Sequence, residues 1–378
     1  MTRFGVLGSY GGLNSGDEAI CAGVISSILN RVPEARIVLF SRDVAHSCEH
    51  HHVDAVYPSR EVSRDDLAPV LSDLDVLLVG GGGLFYDGEA QAYTYLVRLA
   101  QRLGVTTAAY AVGAGPLDDP SERAAVAETF DQMAAITVRD DVSKRTLEAA
   151  GVTRPMQVTA DPALLVRAPR TGKATARADE PFALEGIDTT QRLVGMSVRE
   201  AGNAAPDISL EHHHALLASA ADFLVHRVDA TVVFVPMERS DIAHAHAVMA
   251  DMNAPEHARV LSGSHTPERL LQMISHFDFA VGMRLHFLIF AAVARVPFLP
   301  LAYAAKVSDF VRNLDMPLPP SAERAHAGTL LAAIDRAWDM RRVLKTRLDE
   351  TVPPLERRAE KTIDIILAAV RTAGGAGA

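Results

Sequence analysis

Short apolar runs alternate with helical periodicity along the first half of the chain. Runs at 3–8, 36–40, 53–57, 75–79, 105–111, 135–138 and 156–160 have the length and composition of buried strands. Between them, 17–30, 89–103, 121–133 and 142–150 carry apolar residues at helical spacing. Strand and helix in turn predict a parallel, doubly wound sheet, because parallel neighbours need a crossover. The pattern stops at Arg167-Ala-Pro-Arg-Thr-Gly-Lys-Ala-Thr-Ala-Arg177, which is small, polar and basic and reads as a linker. It then restarts, with strands expected at 193–198, 231–235, 259–261, 277–281 and 297–302 and helices at 212–227, 242–252 and 267–275. The remainder is mostly helical, interrupted at Pro353-Pro354.

The expected organisation is an N-terminal α/β domain over 1–165, a linker over 166–191, a C-terminal α/β domain over 192–321 and a helical tail over 322–378. A chain of 378 residues with 48% hydrophobic content exceeds one ordinary core, which supports two domains. Two Rossmann-like domains facing a cleft is the architecture of GT-B-type transferases.

A net charge of −10 argues against a nucleic-acid partner, though not against a local basic pocket for a small anion. Cys21 and Cys48 are the two cysteines, so no disulfide framework is expected. The start reads as a first strand rather than a signal peptide, and no uncharged apolar run reaches the ~20 residues that span a bilayer. The expectation is a cytoplasmic protein without a transmembrane segment. Loose membrane association and homo-oligomerisation stay open.

Candidate chemistry falls at strand ends, where open α/β sheets bind ligands. Phe279-Ala-Val-Gly-Met-Arg-Leu-His-Phe-Leu-Ile-Phe-Ala-Ala292 reads as a strand, a turn at Gly282 and a buried helix. Arg284 and His286 sit at the helix start, where N–H groups and a partial positive charge suit an anion. Gly8-Ser-Tyr-Gly-Gly-Leu-Asn-Ser-Gly-Asp-Glu18 follows the first strand. Ser15 and Glu18 have capping-box spacing, which leaves Asn14 and the glycines to be explained by a ligand. Gly80-Gly-Gly-Gly-Leu-Phe-Tyr-Asp87 and Gly113-Ala-Gly-Pro-Leu117 also follow strands, and four consecutive glycines suggest close contact between backbone and ligand. Neither GxGxxG nor a P-loop is present.

Arg139, Arg199, Arg284 and Lys306 each follow an expected strand, so they can converge on one cleft. Such a set implies a small, multiply charged anion, with His286 as the group able to move protons near neutral pH. The runs His50-His-His52 and His212-His-His214 are poor chelates, because consecutive side chains diverge; no metal is expected.

The ordered motifs Asn14-Ser-Gly-Asp-Glu-Ala-Ile20, Gly80 to Asp87, Gly113 to Leu117, Thr137-Val-Arg-Asp140 with Ser143, Asp161-Pro162, Ser197-Val-Arg199, Gly282-Met-Arg-Leu-His286 and Tyr303-Ala-Ala-Lys-Val307 together resemble the polysaccharide pyruvyl transferase family. The resemblance implies a GT-B-like fold, phosphoenolpyruvate as donor with no further cofactor, and a pyruvate ketal placed on a sugar in cell-surface polysaccharide biosynthesis. It implies His286 as the catalytic residue and Arg139, Arg284 and Lys306 as donor-binding cations, to which we add Arg199. Gly11, Asn14, Asp17, Gly82, Gly83 and Asp87 would then face the acceptor, a nucleotide-, lipid- or polymer-linked sugar. Two other readings stay open. One is a GT-B glycosyltransferase using a nucleotide sugar, with Glu238 placed against the ribose; the other is a non-catalytic sugar-binding relative.

Overall fold

A computed structural model describes residues 1–12, 14–168, 180–200, 209–301, 305–318 and 327–375. The chain forms two compact units. One comprises Met1–Val166 with Leu355–Ala378, the other Arg167–Pro354.

The first unit holds a parallel sheet of β1 (Arg3–Leu7), β2 (Arg36–Ser41), β3 (Ala55–Pro58), β4 (Val76–Phe85), β5 (Thr106–Ala114), β6 (Ala135–Val138) and β7 (Met156–Val158). The spatial order is β3-β2-β1-β4-β5-β6-β7. The order reverses between β1 and β4, so the loops after these two strands flank the switch point. Strands buried on both faces read as continuous apolar runs, which is why Val76-Leu-Leu-Val79 was legible as a strand. β4 does not end there. Its four glycines stay in the sheet, Gly80 opposite Tyr110 and Gly83 opposite Gly113.

The second unit holds β8 (Arg192–Ser197), β9 (Ala230–Phe234), β10 (Ala258–Val260), β11 (Phe279–Gly282) and β12 (Phe298–Pro300), in the parallel order β10-β9-β8-β11-β12. Here the reversal lies between β8 and β11, paired from Phe279 with Val194 to Gly282 with Ser197. The helix Leu285–Val293 buries Phe287, Leu288, Ile289 and Phe290 beneath this sheet. Gly282 permits that packing, because a Cβ there would lie 2.5 Å from the Phe287 ring.

The helical tail does not stand apart. The helix Arg341–Gly375 carries Pro353 and Pro354, and the division between the units falls immediately after them. The expected linker includes a helix, Glu180–Leu184, and Glu185 accepts hydrogen bonds from the Ser262 and Gly263 N–H groups at 3.1 and 2.8 Å. Residues 169–179 of that linker lie outside the described residues. Helices Val44–His50 and Arg64–Ser72 were not expected, being short and polar; Asp43 and Ser63 cap them. Among the described residues no helix is long and apolar enough to cross a membrane.

Candidate functional site

At the switch point of the first sheet, the helix Ser15–Arg31 is capped by Asn14, not by Ser15. The Asn14 Oδ1 accepts from the N–H groups of Gly16 at 2.9 Å and Asp17 at 3.4 Å. Asn14 thus has a structural task, and the expected capping box with Glu18 does not form. Glu18 is buried instead. It accepts from the Gly11 N–H at 2.8 Å and lies 2.7 Å from Nε2 of buried His51. The middle histidine of the first triplet therefore braces the glycine loop through Glu18.

The glycines separate into two kinds. Gly11 has φ +72 and a Cβ there would meet the Ser41 hydroxyl at 2.2 Å. Gly81 has φ +74, with Ile20 Cγ2 at 1.8 Å from the same notional atom, and Gly80 would meet the Tyr110 carbonyl at 2.2 Å. Gly82 is also left-handed, at φ +82. Internal packing and backbone conformation account for these four without a ligand. Gly12 and Gly83 differ: both are exposed, neither has positive φ, and the nearest atoms to an added Cβ lie at 3.6 Å and 3.9 Å respectively. Each lies beside a guanidinium, Gly12 beside Arg42 and Gly83 beside Arg139. Gly81→Ala should accordingly cost about 2–4 kcal/mol from strain and overpacking, and Gly83→Ala less than about 0.5 kcal/mol. Urea unfolding of the two variants checks this.

Arg139, just beyond β6, is buried with its side chain 7% exposed. Its Nε meets Asp140 at 3.2 Å and its Nη1 meets Asp161 at 3.1 Å. Burial works against its charge, but Asp161 and Asp140 outweigh it and hold the guanidinium firmly protonated. Gly113 provides the space, since a Cβ there would fall 2.8 Å from the guanidinium carbon. Asp140 also caps the helix Asp141–Ala150 by accepting from the Ser143 N–H at 2.6 Å. Asp87 ties two loops together by accepting from the N–H groups of Asp118 and Asp119, at 2.9 and 3.1 Å. Asp17 is half-buried, and its charge helps to raise the pKa of Tyr86, which burial raises most.

In the second unit Arg199 follows β8, and Arg284 and His286 follow β11, the two strands at the switch point. Arg284 is the extended residue before the helix Leu285–Val293 and does not cap it with its side chain. Its guanidinium pairs with two carboxylates beyond β9, Glu238 and Asp241, at the start of the helix Arg239–Ala250. The Nε lies 2.9 Å from Asp241 Oδ2, and Nη2 contacts both Asp241 and Glu238. Asp241, 1% exposed, also accepts from the N–H groups of Met237 and Glu238, at 3.1 and 3.3 Å. Burial opposes ionisation of Glu238, but Arg284, the Ser240 hydroxyl and Arg199 together hold its carboxyl below the usual range. Arg199 and Arg284 therefore both act on Glu238. The acidic residue that a nucleotide-sugar donor would need against its ribose is engaged by arginine and serine.

The Arg199 carbonyl accepts from Nε2 of buried His213 at 3.0 Å, and burial lowers the His213 pKa. His214 pairs with His244 at 3.1 Å, so the second triplet diverges as expected. His286 is half-buried on the first turn of its helix, two residues beyond Arg284. Lys306 is exposed on the first turn of the helix Ala305–Asn313, which follows β12, the strand next to β11. Tyr303 and Ala304 of its motif lie outside the described residues. Arg139 belongs to the first unit, while Arg199, Arg284, His286 and Lys306 belong to the second.

The carboxylates that fix these cations were not singled out for that task from the sequence. Asp161 is 22 residues from Arg139, and Asp241 is 43 residues from Arg284. The local signal was the spacing of Glu238 and Asp241, a capping box opening the helix Arg239–Ala250.

A family model for polysaccharide pyruvyl transferase matches residues 14–304. No curated protein matches the chain by sequence. UDP-GlcNAc 2-epimerase from Neisseria meningitidis, solved bound to UDP-GlcNAc, is similar with a TM-score of 0.66 and 11% identity, over 97% of this chain and 100% of that one. A glycosyltransferase from Rickettsia africae has a TM-score of 0.64 and 11% identity, with 98% of each chain covered. The E. coli ADP-heptose lps heptosyltransferase II has a TM-score of 0.53 and 14% identity, over 90% of this chain and 99% of that one. At such identities these structures establish a GT-B-like fold and say nothing about chemistry.

Proposed function

The chain belongs to the polysaccharide pyruvyl transferase family, and from this premise we propose that it moves the pyruvyl group of phosphoenolpyruvate onto two hydroxyls of a sugar. The observation that carries the reading is the turn Gly282-Met-Arg-Leu-His286. It places a carboxylate-oriented guanidinium and an imidazole at the switch point of one sheet, at the start of a helix whose first residue is uncapped by a side chain. Phosphoenolpyruvate carries a carboxylate and a phosphate, and guanidinium groups and helix N–H groups bind both well.

In the proposed reaction His286 delivers a proton to the methylene carbon, C3, of the donor. That leaves C2 electrophilic. One sugar hydroxyl adds to C2 and loses its proton, and the C2–O bond to phosphate breaks. The second hydroxyl adds to C2, loses its proton and closes the ketal, so each transfer releases one inorganic phosphate. Arg199, Arg284 and Lys306 bind the donor anion and stabilise the departing phosphate. Asp241 and Glu238 preset the Arg284 fork, so little reorganisation is needed when the donor arrives.

The test is phosphate release from phosphoenolpyruvate in EDTA, across a panel of free, nucleotide-linked and lipid-linked sugars. Release that depends on one acceptor is the expected result. Stabilisation of the protein by UDP and not by phosphoenolpyruvate, with no release, would favour nucleotide-sugar chemistry instead.

A further inference from the structure

A second cluster of cations lies on the sheet edge of the first unit, apart from the residues given roles above. Arg42 directly follows β2, and Arg60 follows β3 by two residues. Their strands lie side by side next to β1, whose following loop carries Gly11 and Gly12. Arg42 Nη2 lies 3.1 Å from Glu89 Oε2 and 3.1 Å from the Tyr93 hydroxyl. Arg60 Nη2 contacts the same Glu89 oxygen. Two cations thus share one carboxylate. Their side chains stay 31% and 38% exposed. A surface ion pair of this kind contributes about 0–1 kcal/mol, too little to explain two arginines on one carboxylate by stability.

Gly12 is the second, independent observation. Neither φ nor packing requires glycine there, and the position is exposed. An added Cβ would lie 3.7 Å from Arg42 Cδ and 3.9 Å from Arg42 Nη1. The Arg42 Nη1 edge therefore lies beside the Gly12 main chain, while Nη2 is held by Glu89 and Tyr93. The exposed ring of Tyr86 and the half-buried Asp17 belong to the same neighbourhood, since the Tyr86 phenol senses Glu89, Arg42 and Asp17.

We propose that Arg42, Arg60 and the main chain at Gly12 form a subsite for a phosphate or diphosphate carried by the acceptor sugar. Two guanidinium forks from separate loops above an exposed main chain present donors from several directions, which matches a tetrahedral phosphate better than a planar carboxylate. The acceptor would then be a glycosyl phosphate or diphosphate rather than a finished neutral polymer. The identification of the ligand as the acceptor rests on the pyruvyl transfer reading. Phosphate binding at the subsite does not.

The experiment is calorimetric titration of the full chain, without phosphoenolpyruvate, with inorganic pyrophosphate, a UDP-sugar, a short prenyl diphosphate sugar, the free sugar and glucuronate, and in a separate titration with phosphoenolpyruvate alone. Arg42→Gln and Arg60→Gln should each weaken diphosphate binding about tenfold, the loss of one charge-assisted contact. Binding of the free sugar and of phosphoenolpyruvate should change less than about twofold, a difference near RT that removal of such a contact would exceed. Glu89→Gln removes the competing carboxylate and should tighten diphosphate binding; this separates charge recognition from mere loop support. The tighter of the nucleotide and prenyl ligands identifies the carrier. The proposal is overturned if wild type binds no diphosphate ligand, if the arginine variants bind it unchanged, or if Glu89→Gln weakens it as they do. Preference for glucuronate over the diphosphates would overturn it too. Because binding is read without turnover, failure of the phosphate-release assay would sink the transfer reading and leave this result standing.

Discussion

His286→Ala should lower kcat for pyruvyl transfer by about 100- to 10,000-fold, the range for loss of a positioned general acid. The KM for phosphoenolpyruvate should move little, because the proposed reading assigns donor binding to Arg199, Arg284 and Lys306. The substitution is structurally mild. His286 is half-buried on the first turn of a helix whose packing residues are Phe287, Leu288, Ile289 and Phe290, and alanine favours the helix. Circular dichroism and thermal unfolding should therefore match wild type. Near-normal turnover in the folded variant would remove His286 from the chemistry.

Asp241→Ala should destabilise the second unit by about 3–5 kcal/mol, the usual result of removing one partner of a buried ion pair. Asp241 is 1% exposed and accepts from two N–H groups as well as from Arg284. Alanine would leave those N–H groups without their acceptor and the Arg284 guanidinium with Glu238 alone of its two carboxylates. Thermal unfolding should fall by about 10 °C for a unit of this size. Asp241→Asn keeps an acceptor oxygen and the shape, so it should cost less. A loss below about 1 kcal/mol for Asp241→Ala would mean that the Arg284–Asp241 pair behaves as a surface contact.

The strands were legible because buried parallel strands are apolar runs of a length that helices rarely share. Val194, Val232 and Val281 lie in such runs, and each is fully buried. β4 was cut short in the sequence at Val79 because glycine has no side chain and therefore no pattern, although the ladder with β5 runs on to Phe85. The cap of the first helix was misplaced by one residue, since Asn14 and Ser15 are both good caps and the choice depends on tertiary contacts of Glu18 with Gly11 and His51. The arginines were found because they follow strands. Some of their carboxylate partners come from distant segments, as Asp161 does for Arg139, and no local spacing encodes that pair. Arg42 and Arg60 were passed over because arginines after short strands are ordinary; only their convergence on Glu89, with Arg42 beside Gly12, distinguishes them.

The most direct measurement of the transfer reading is NMR of the product formed from phosphoenolpyruvate and the active acceptor in D2O. Protonation at C3 by an exchangeable acid predicts a pyruvate ketal on the sugar, one deuterium in each new methyl group, and one phosphate released per ketal. Phosphate accompanied only by free pyruvate, or an acceptor recovered without a ketal carbon, would contradict it.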